Sequence, residues 1–137
     1  MKIPLGKDRT AKTLWKELSE QGKKVLVMNV PLTYPPEEVN GVLISGFLTP
    51  SINKCANPSS LVSYLKDKRY VIDVDPRLGH TDKRKFMREL HTTLDRRMEV
   101  FFDLLKKDSY DLAQCHIMET DRINHFFWED FEKGGEL

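Results

Sequence analysis

The hydrophobic and polar positions along the chain predict helices and strands in turn. A helix is predicted for residues 10–21, with Thr10 as its possible cap and one apolar face formed by Leu14, Trp15 and Leu18. The run VLVMNV at residues 25–30 is nearly all apolar, which is typical of a strand covered on both faces in a parallel sheet. The loop that follows, PLTYPPEEVNG, is predicted to be stiff. It either shapes a binding surface at the end of the strand or serves as a structural turn.

The middle of the chain predicts shorter elements. Residues 42–47 form a short apolar segment, and residues 49–58 form a polar loop. Ser59 or Ser60 then caps a brief helix. The β-branched segment YVIDV at residues 70–74 predicts another strand, which runs into a turn rich in proline and glycine.

The longest periodic pattern predicts a single helix over residues 82–107. Its apolar positions recur at spacings of three and four and form one broad stripe, suited to packing on a sheet: Phe86, Leu90, Leu94, Met98, Phe101 and Leu105. This pattern places Leu94 in the core and the opposite, charged face of the helix in solvent.

Residues 110–132 combine a strand with a helix. Residues 112–118 are short and apolar enough to be a buried strand, in which His116 is interpreted as a packed, hydrogen-bonded residue. Asp121 and His125 then stand one helical turn apart, just beyond the end of the strand, where ligands bind in open α/β sheets. One carboxylate oxygen and one imidazole nitrogen suit a zinc-like ion. In the alternative interpretation, Asp121 caps the helix and His125 is an ordinary surface or packing residue.

These elements together predict an α/β fold in one domain. The segments 25–29 and 112–118 are expected to be interior strands with parallel pairing. The polar residues 1–9 predict a flexible arm. The sequence contains no phosphate-binding glycine loop, no cysteine cluster and no serine-nucleophile turn.

Composition adds limits to this picture. The net charge of +1 gives no attraction to nucleic acid or to an anionic membrane, so neither is an expected partner. No apolar run reaches the roughly 18 residues of a membrane span. Cys55 and Cys115 form no disulfide framework, which predicts free thiols. Because the first residues also lack a signal-peptide pattern, the expected location is cytoplasmic.

Two stretches resemble the type I phosphodiesterase/nucleotide pyrophosphatase family of the alkaline phosphatase superfamily. They are NVPLTYPPEEVNGVLISGFLTPS at residues 29–51 and ETDRINHFFW at residues 119–128. The resemblance extends from about Thr13 to Phe131. It implies an alkaline phosphatase-like, three-layer αβα sandwich and a hydrolase of phosphate esters that uses two metal ions, usually zinc.

Residue by residue, the resemblance makes Asp121 and His125 ligands of one metal and places Thr33 and Tyr34 at the border of the substrate site. The family's early aspartate and nucleophile, its later Asp-His pair and its final histidine have no match in this sequence. The chain is therefore expected to be an incomplete domain, an internal segment of a metal-dependent phosphodiesterase or phosphohydrolase. By itself it should be inactive and should bind zinc weakly or not at all.

The alternative hypothesis is a non-catalytic binding or protein-interaction module that kept the fold and lost the site. Because the segments that would cover it have no match in this sequence, the aromatic cluster at residues 126–128 is expected to be partly exposed and to promote self-association.

Overall fold

A computed structural model describes residues 5–134 of the chain and confirms the predicted α/β fold. In chain order, its helices and strands are α1 (Leu14–Glu20), β1 (Val25–Met28), β2 (Gly41–Ile44), β3 (Ala56–Asn57), α2 (Leu61–Asp67), α3 (Leu78–Thr81), α4 (Lys83–Lys107), β4 (Leu112–Cys115) and α5 (Met118–Glu132). Single turns of 3-10 helix occur at Gly6–Asp8 and Ile52–Lys54.

The four strands form one mixed sheet in the order β3-β2-β1-β4. β1 pairs in parallel with both neighbours, so that Val27 lies opposite Leu43 of β2 and Gln114 of β4. The short strand β3, inside the predicted polar loop, runs antiparallel to β2. β1 is therefore the interior strand that its apolar sequence predicts.

The prediction of an interior strand over residues 112–118 is wrong. Only Leu112–Cys115 is extended, and this strand pairs with β1 alone, at the edge of the described sheet. Ala113 and Gln114 are exposed, whereas Met118 already belongs to α5. The apolar run resembles one buried strand because it joins the edge strand β4 to the buried first residue of α5.

Helices cover both faces of the sheet. Successive side chains of a strand point to opposite faces, and the two faces of β1 pack on different helices. Leu26 packs with Leu65 of α2 and Val100 of α4. On the other face, Val27 packs with Trp15 of α1.

The first helix begins later than predicted because Thr13, not Thr10, is its cap. The Thr13 hydroxyl accepts a hydrogen bond from the backbone N–H of Lys16 at 3.2 Å, so the first helical residue is Leu14. A threonine accepts such a bond only from the amide protons of the first turn, and Thr10 lies too far upstream of that turn.

The described part of the predicted N-terminal arm, residues 5–9, contacts the proline-rich loop. The backbone N–H of Gly6 donates to the carbonyl oxygen of Tyr34 at 2.8 Å, and the guanidinium of Arg9 lies 3.1 Å from the carboxylate of Glu37. Residues 1–4 of the predicted arm lie outside the described residues.

The predicted strand at residues 70–74 is also wrong. Arg69 has a positive φ of 52°, and this left-handed conformation turns the chain sharply after α2. The N–H of Tyr70 then bonds back to the carbonyl oxygen of Leu65. The β-branched composition resembles that of a strand, but the segment crosses beside α4 and its polar groups bind side chains there.

The long helix is confirmed, with Asp82 as its cap: the side chain accepts from the N–H of Lys85 at 2.8 Å. Its buried face is Phe86, Leu90, Thr93, Arg97, Val100 and Leu104. The predicted stripe leaves this face after Leu90. A spacing of four exceeds the helical period of about 3.6 residues, so each step of four rotates roughly 40° around the axis. Leu94 is consequently half-buried and not in the core.

Two further findings concern membranes and thiols. Among residues 5–134, no helix is long and apolar enough to cross a membrane. Cys55 and Cys115 are free thiols, and burial raises the pKa of each to about 11.

Leu90→Ala should lower the free energy of unfolding by about 2–5 kcal/mol, because it removes a fully packed side chain from the core. Leu94→Ala should cost less than half as much as Leu90→Ala, since its side chain is only half-buried. Urea unfolding measures both, with Phe102→Ala at an exposed position of the same helix as the control. A Leu94→Ala loss equal to that of Leu90→Ala would contradict the observed orientation of α4.

Candidate functional site

The carboxyl ends of β1, β2 and β4 lie at one edge of the sheet because the three strands run parallel. From the adjacent strands β1 and β4 the chain departs towards opposite faces. After β1, Val30 packs with the cluster under α1. After β4, the chain enters α5, whose Phe127 packs with Phe86 of α4. Neighbouring strands whose connections diverge in this way open the crevice in which α/β proteins bind ligands.

In this structure, groups of the chain itself fill the crevice between β1 and β4. Asn29 follows β1 in the left-handed conformation, with φ of 62°, which asparagine tolerates better than most residues. Its side-chain amide donates to the carbonyl oxygen of His116 at 3.3 Å, and the N–H of His116 donates to Met28 at 2.9 Å. Gly46 closes the other side of Asn29: a Cβ at this position would lie 2.2 Å from the Asn29 carbonyl oxygen. The first residues beyond β1 are therefore held rigidly.

Below this edge lies a buried ion pair between α4 and α5. The Arg97 side chain is 0% exposed, and its Nε and Nη2 lie 3.2 and 2.7 Å from Oε1 of Glu119. Arg97 also donates to the hydroxyl of Tyr70 at 3.0 Å and to the carbonyl oxygen of Ile72 at 3.2 Å. Burial acts to lower the pKa of Arg97, but Tyr70 and Glu119 outweigh it, so the pKa is raised and the guanidinium stays charged.

Glu119 leaves one acceptor open. Its Oε2 is buried and has no hydrogen-bond partner among the described residues, and the same holds for Nδ1 of His116. His116 is half-buried at the end of β4, where its backbone is hydrogen-bonded. It is therefore packed against the sheet edge, as its sequence context indicates, although its imidazole Nδ1 is not paired in the described part of the chain.

A second ion pair fixes the first turn of α5. Nε of Arg122 donates to Oδ1 of Asp73 at 3.2 Å, and Nη2 binds the other carboxylate oxygen. The guanidinium also lies over the ring of Phe47, 5.1 Å from its centroid. The hydrogen bonds to Asp73 raise the pKa of Arg122. The start of α5 is thus tied to two loops as well as to α4.

Asp121 and His125 converge on the outer side of this anchored turn. Oδ1 of Asp121 lies 3.4 Å from Nε2 of His125, and the two side chains are 45% and 69% exposed. α5 begins at Met118, and its N-cap, Ile117, makes no side-chain capping bond. Asp121 is the fourth helical residue, so the interpretation of Asp121 as the helix cap is wrong.

Thr33 and Tyr34 have structural contacts. Thr33 is buried; its hydroxyl donates to the carbonyl oxygen of Val30 at 2.7 Å and accepts from the N–H of Gly46 at 3.2 Å. Tyr34 is half-buried, and its carbonyl oxygen binds Gly6. Thr33 therefore uses its hydroxyl to hold the loop, and neither residue has a described hydrogen bond to Asp121 or His125.

Asp121 and His125 bring a carboxylate oxygen and an imidazole nitrogen together at one accessible point, and both atom types are zinc ligands in proteins. Within residues 5–134, no group of three or more His, Cys, Asp or Glu residues is arranged to hold a metal ion.

Comparison with family models gave no match for this chain, and comparisons with curated proteins and with solved structures gave none either. Function is therefore inferred from the residues of the chain itself.

Sequence reasoning missed Arg97 and Glu119, which anchor the site. The signal was present in the helical period: Leu90, Arg97 and Leu104 stand seven residues apart, close to two full turns, so they share one face. A charged residue between two apolar residues on the buried face of a helix indicates that a buried residue of opposite charge pairs with it.

Arg97→Met should lower the free energy of unfolding by about 3–5 kcal/mol, because it leaves the Glu119 carboxylate buried without its cation. Adding Glu119→Gln should recover a large part of this loss. Chemical denaturation measures the series, with Arg96→Met as the matched control at the neighbouring position, where the side chain donates an exposed hydrogen bond to the carbonyl oxygen of Arg69. If the double variant is as unstable as Arg97→Met, the ion pair does not explain the loss.

Proposed function

We propose that this chain carries one half of a divalent metal site in a phosphate-ester hydrolase, with Asp121 and His125 as its ligands. The observation that supports the proposal is the approach of Oδ1 of Asp121 to Nε2 of His125, 3.4 Å apart on an exposed turn beyond the end of β4. Carboxylate oxygen and imidazole nitrogen are both zinc ligands in proteins. Exposure leaves room for an ion and for further ligands.

The anchoring of the turn supports the same proposal. Glu119 and Arg122 flank Asp121 in sequence, and both are held by ion pairs, to Arg97 and Asp73. Metal affinity depends on groups behind the ligands that fix their orientation. The two ion pairs on the buried side of the turn thus fix where α5 presents Asp121 and His125.

The proposal includes the family and its fold. An alkaline phosphatase-like αβα sandwich agrees with two features of the chain: parallel strands at the centre of the sheet and helices on both faces. The Asp-x-x-x-His element follows a parallel strand, at the edge where such folds bind ligands.

The expected chemistry is metal-assisted hydrolysis, in which a bound divalent metal polarises a phosphoryl oxygen or lowers the pKa of a water. A catalytic zinc ordinarily has about three protein ligands. Asp121 and His125 supply two, and no larger metal-binding group occurs within residues 5–134. We therefore propose that the chain acts only when the other ligands and a nucleophile come from elsewhere.

A non-catalytic interaction module is the second candidate. It is favoured by Trp128 and Phe131, which are 55% and 79% exposed on α5. Exposed aromatic side chains next to each other are typical of binding surfaces.

Zinc should bind weakly, with a dissociation constant between about 10 μM and 1 mM, because two ligands give only part of a site. Isothermal titration calorimetry should show this binding disappear in both Asp121→Ala and His125→Ala. His91→Ala is the matched control, since His91 and Asp95 are an exposed pair with the same spacing on α4. Binding that survives in both α5 variants, or that is lost in His91→Ala, would contradict the assignment.

The isolated chain should not hydrolyse bis(p-nitrophenyl) phosphate in the presence of zinc. The rate should stay at background for the natural sequence and for Asp121→Ala alike, because residues 5–134 contain no group of three metal ligands. Zinc-dependent turnover that is absent in Asp121→Ala would refute this expectation. It would mean that a second chain completes the site.

A further inference from the structure

Asn40 holds the amino end of β2 against the turn between α1 and β1. The nitrogen of its side-chain amide donates hydrogen bonds to the carbonyl oxygens of Gly22 and Lys23, at 3.1 and 3.2 Å. Its backbone N–H donates to the hydroxyl oxygen of Ser19, near the end of α1. One asparagine therefore connects a helix, a turn and the start of an interior strand.

The position after Asn40 accepts only glycine. Gly41 has a φ of 131°, and a Cβ at this position would lie 2.1 Å from the carbonyl oxygen of Val25. The two backbones are this close because β1 and β2 begin to pair here, where the N–H of Val25 donates to the carbonyl oxygen of Asn40 at 2.8 Å. The fold therefore uses an asparagine for its two side-chain bonds and a glycine for its backbone conformation, next to each other.

An asparagine that precedes a glycine is chemically reactive. The backbone nitrogen of Gly41 attacks Cγ of Asn40, a new C–N bond closes a succinimide ring, and the bond from Cγ to the amide nitrogen breaks. Ammonia leaves with the proton that the Gly41 nitrogen loses, and water then opens the ring at either carbonyl carbon to give aspartate or isoaspartate. Glycine favours this attack because it has no Cβ to hinder it. Among the asparagines of the chain, Asn40 alone precedes a glycine.

We propose that Asn40 is a deamidation site and that its conversion releases the start of β2 from the turn before β1. An aspartate here places a carboxylate oxygen opposite the carbonyl oxygens of Gly22 and Lys23, so two hydrogen bonds are replaced by repulsion. Isoaspartate lengthens the main chain by one carbon atom. Because Leu43 and Ile44 of β2 are 0% exposed, the close-packed core resists the shift that this extra atom imposes on the strand.

The same hydrogen bonds make the reaction depend on conformation. Ring closure turns the amide group and expels its nitrogen, and both movements break the bonds to Gly22 and Lys23. The rate of deamidation therefore follows the fraction of molecules in which this turn is open. Asn40 is exposed, so water reaches the ring for the second step. The site responds to local opening of the fold and does not depend on the proposed metal ligands.

Peptide mapping by mass spectrometry, after incubation at neutral pH, tests the site and its protection. Asn40 should deamidate before the exposed Asn53 and Asn124, and at least about tenfold faster in unfolding urea than in the native chain. Ser19→Ala removes the acceptor of the Asn40 backbone N–H, so it should speed the reaction in the native chain but not in urea. Ser63→Ala, at an exposed position of α2, is the matched control.

Urea unfolding tests the structural consequence. Asn40→Asp should lower the midpoint of unfolding, and Asn40→Ala should lower it less, because alanine loses the two bonds without adding a carboxylate. Asn53→Asp is the control, an exposed change of the same kind in the 3-10 turn Ile52–Lys54. The proposal is overturned if another asparagine reacts first, if the native and unfolded chains react at equal rates, or if Ser19→Ala and Ser63→Ala react equally fast when native. It is also overturned if Asn40→Asp is no less stable than Asn40→Ala.

Discussion

The buried guanidinium of Arg97 is the constraint on which the rest of the structure depends. Removing a charge from water costs several kcal/mol, and only a full set of well-placed acceptors offsets that cost. Here the acceptors come from separate parts of the chain: Glu119 on α5, and Tyr70 and Ile72 in the segment after α2. Because one side chain needs all of them at once, it fixes two helices and an irregular segment relative to each other. Tyr70 extends the network to Asn29 at the end of β1, 3.5 Å away.

That constraint also decides which side of α5 faces outward. Glu119 and Phe127 point inward, towards Arg97 and the core, and are 3% and 4% exposed. The helical period then places Asp121, His125 and Trp128, at spacings of four and three, on the outer side. The exposed positions of Asp121, His125 and Trp128 on α5 therefore follow from one buried ion pair.

The sequence was informative where local pattern and tertiary environment agree. The apolar run of β1 and the length of α4 were predictable because continuous burial and helical period are visible in the residues themselves. The approach of Asp121 to His125 was also predictable, because residues four apart lie next to each other on one side of a helix. The segment at residues 70–74 was not predictable in this way, because its backbone conformation depends on Arg97, 27 residues away from Tyr70. Propensity describes a residue and its neighbours, and it carries no information about such distant partners.

The main contribution of the buried ion pair to this fold is therefore a defined geometry, and its contribution to stability is smaller. Apolar residues of similar volume in place of a buried ion pair often leave stability unchanged or raise it. Such residues would pack in many orientations, whereas the bonds from Arg97 to Glu119 and Ile72 are directional and have few alternatives. Without these directional bonds, the orientation of α5 would vary, and the side chains on its exposed side would change position first. The positions of Asp121, His125 and Trp128 on the exposed side of α5 depend on that orientation, while the core needs only that apolar volume be filled.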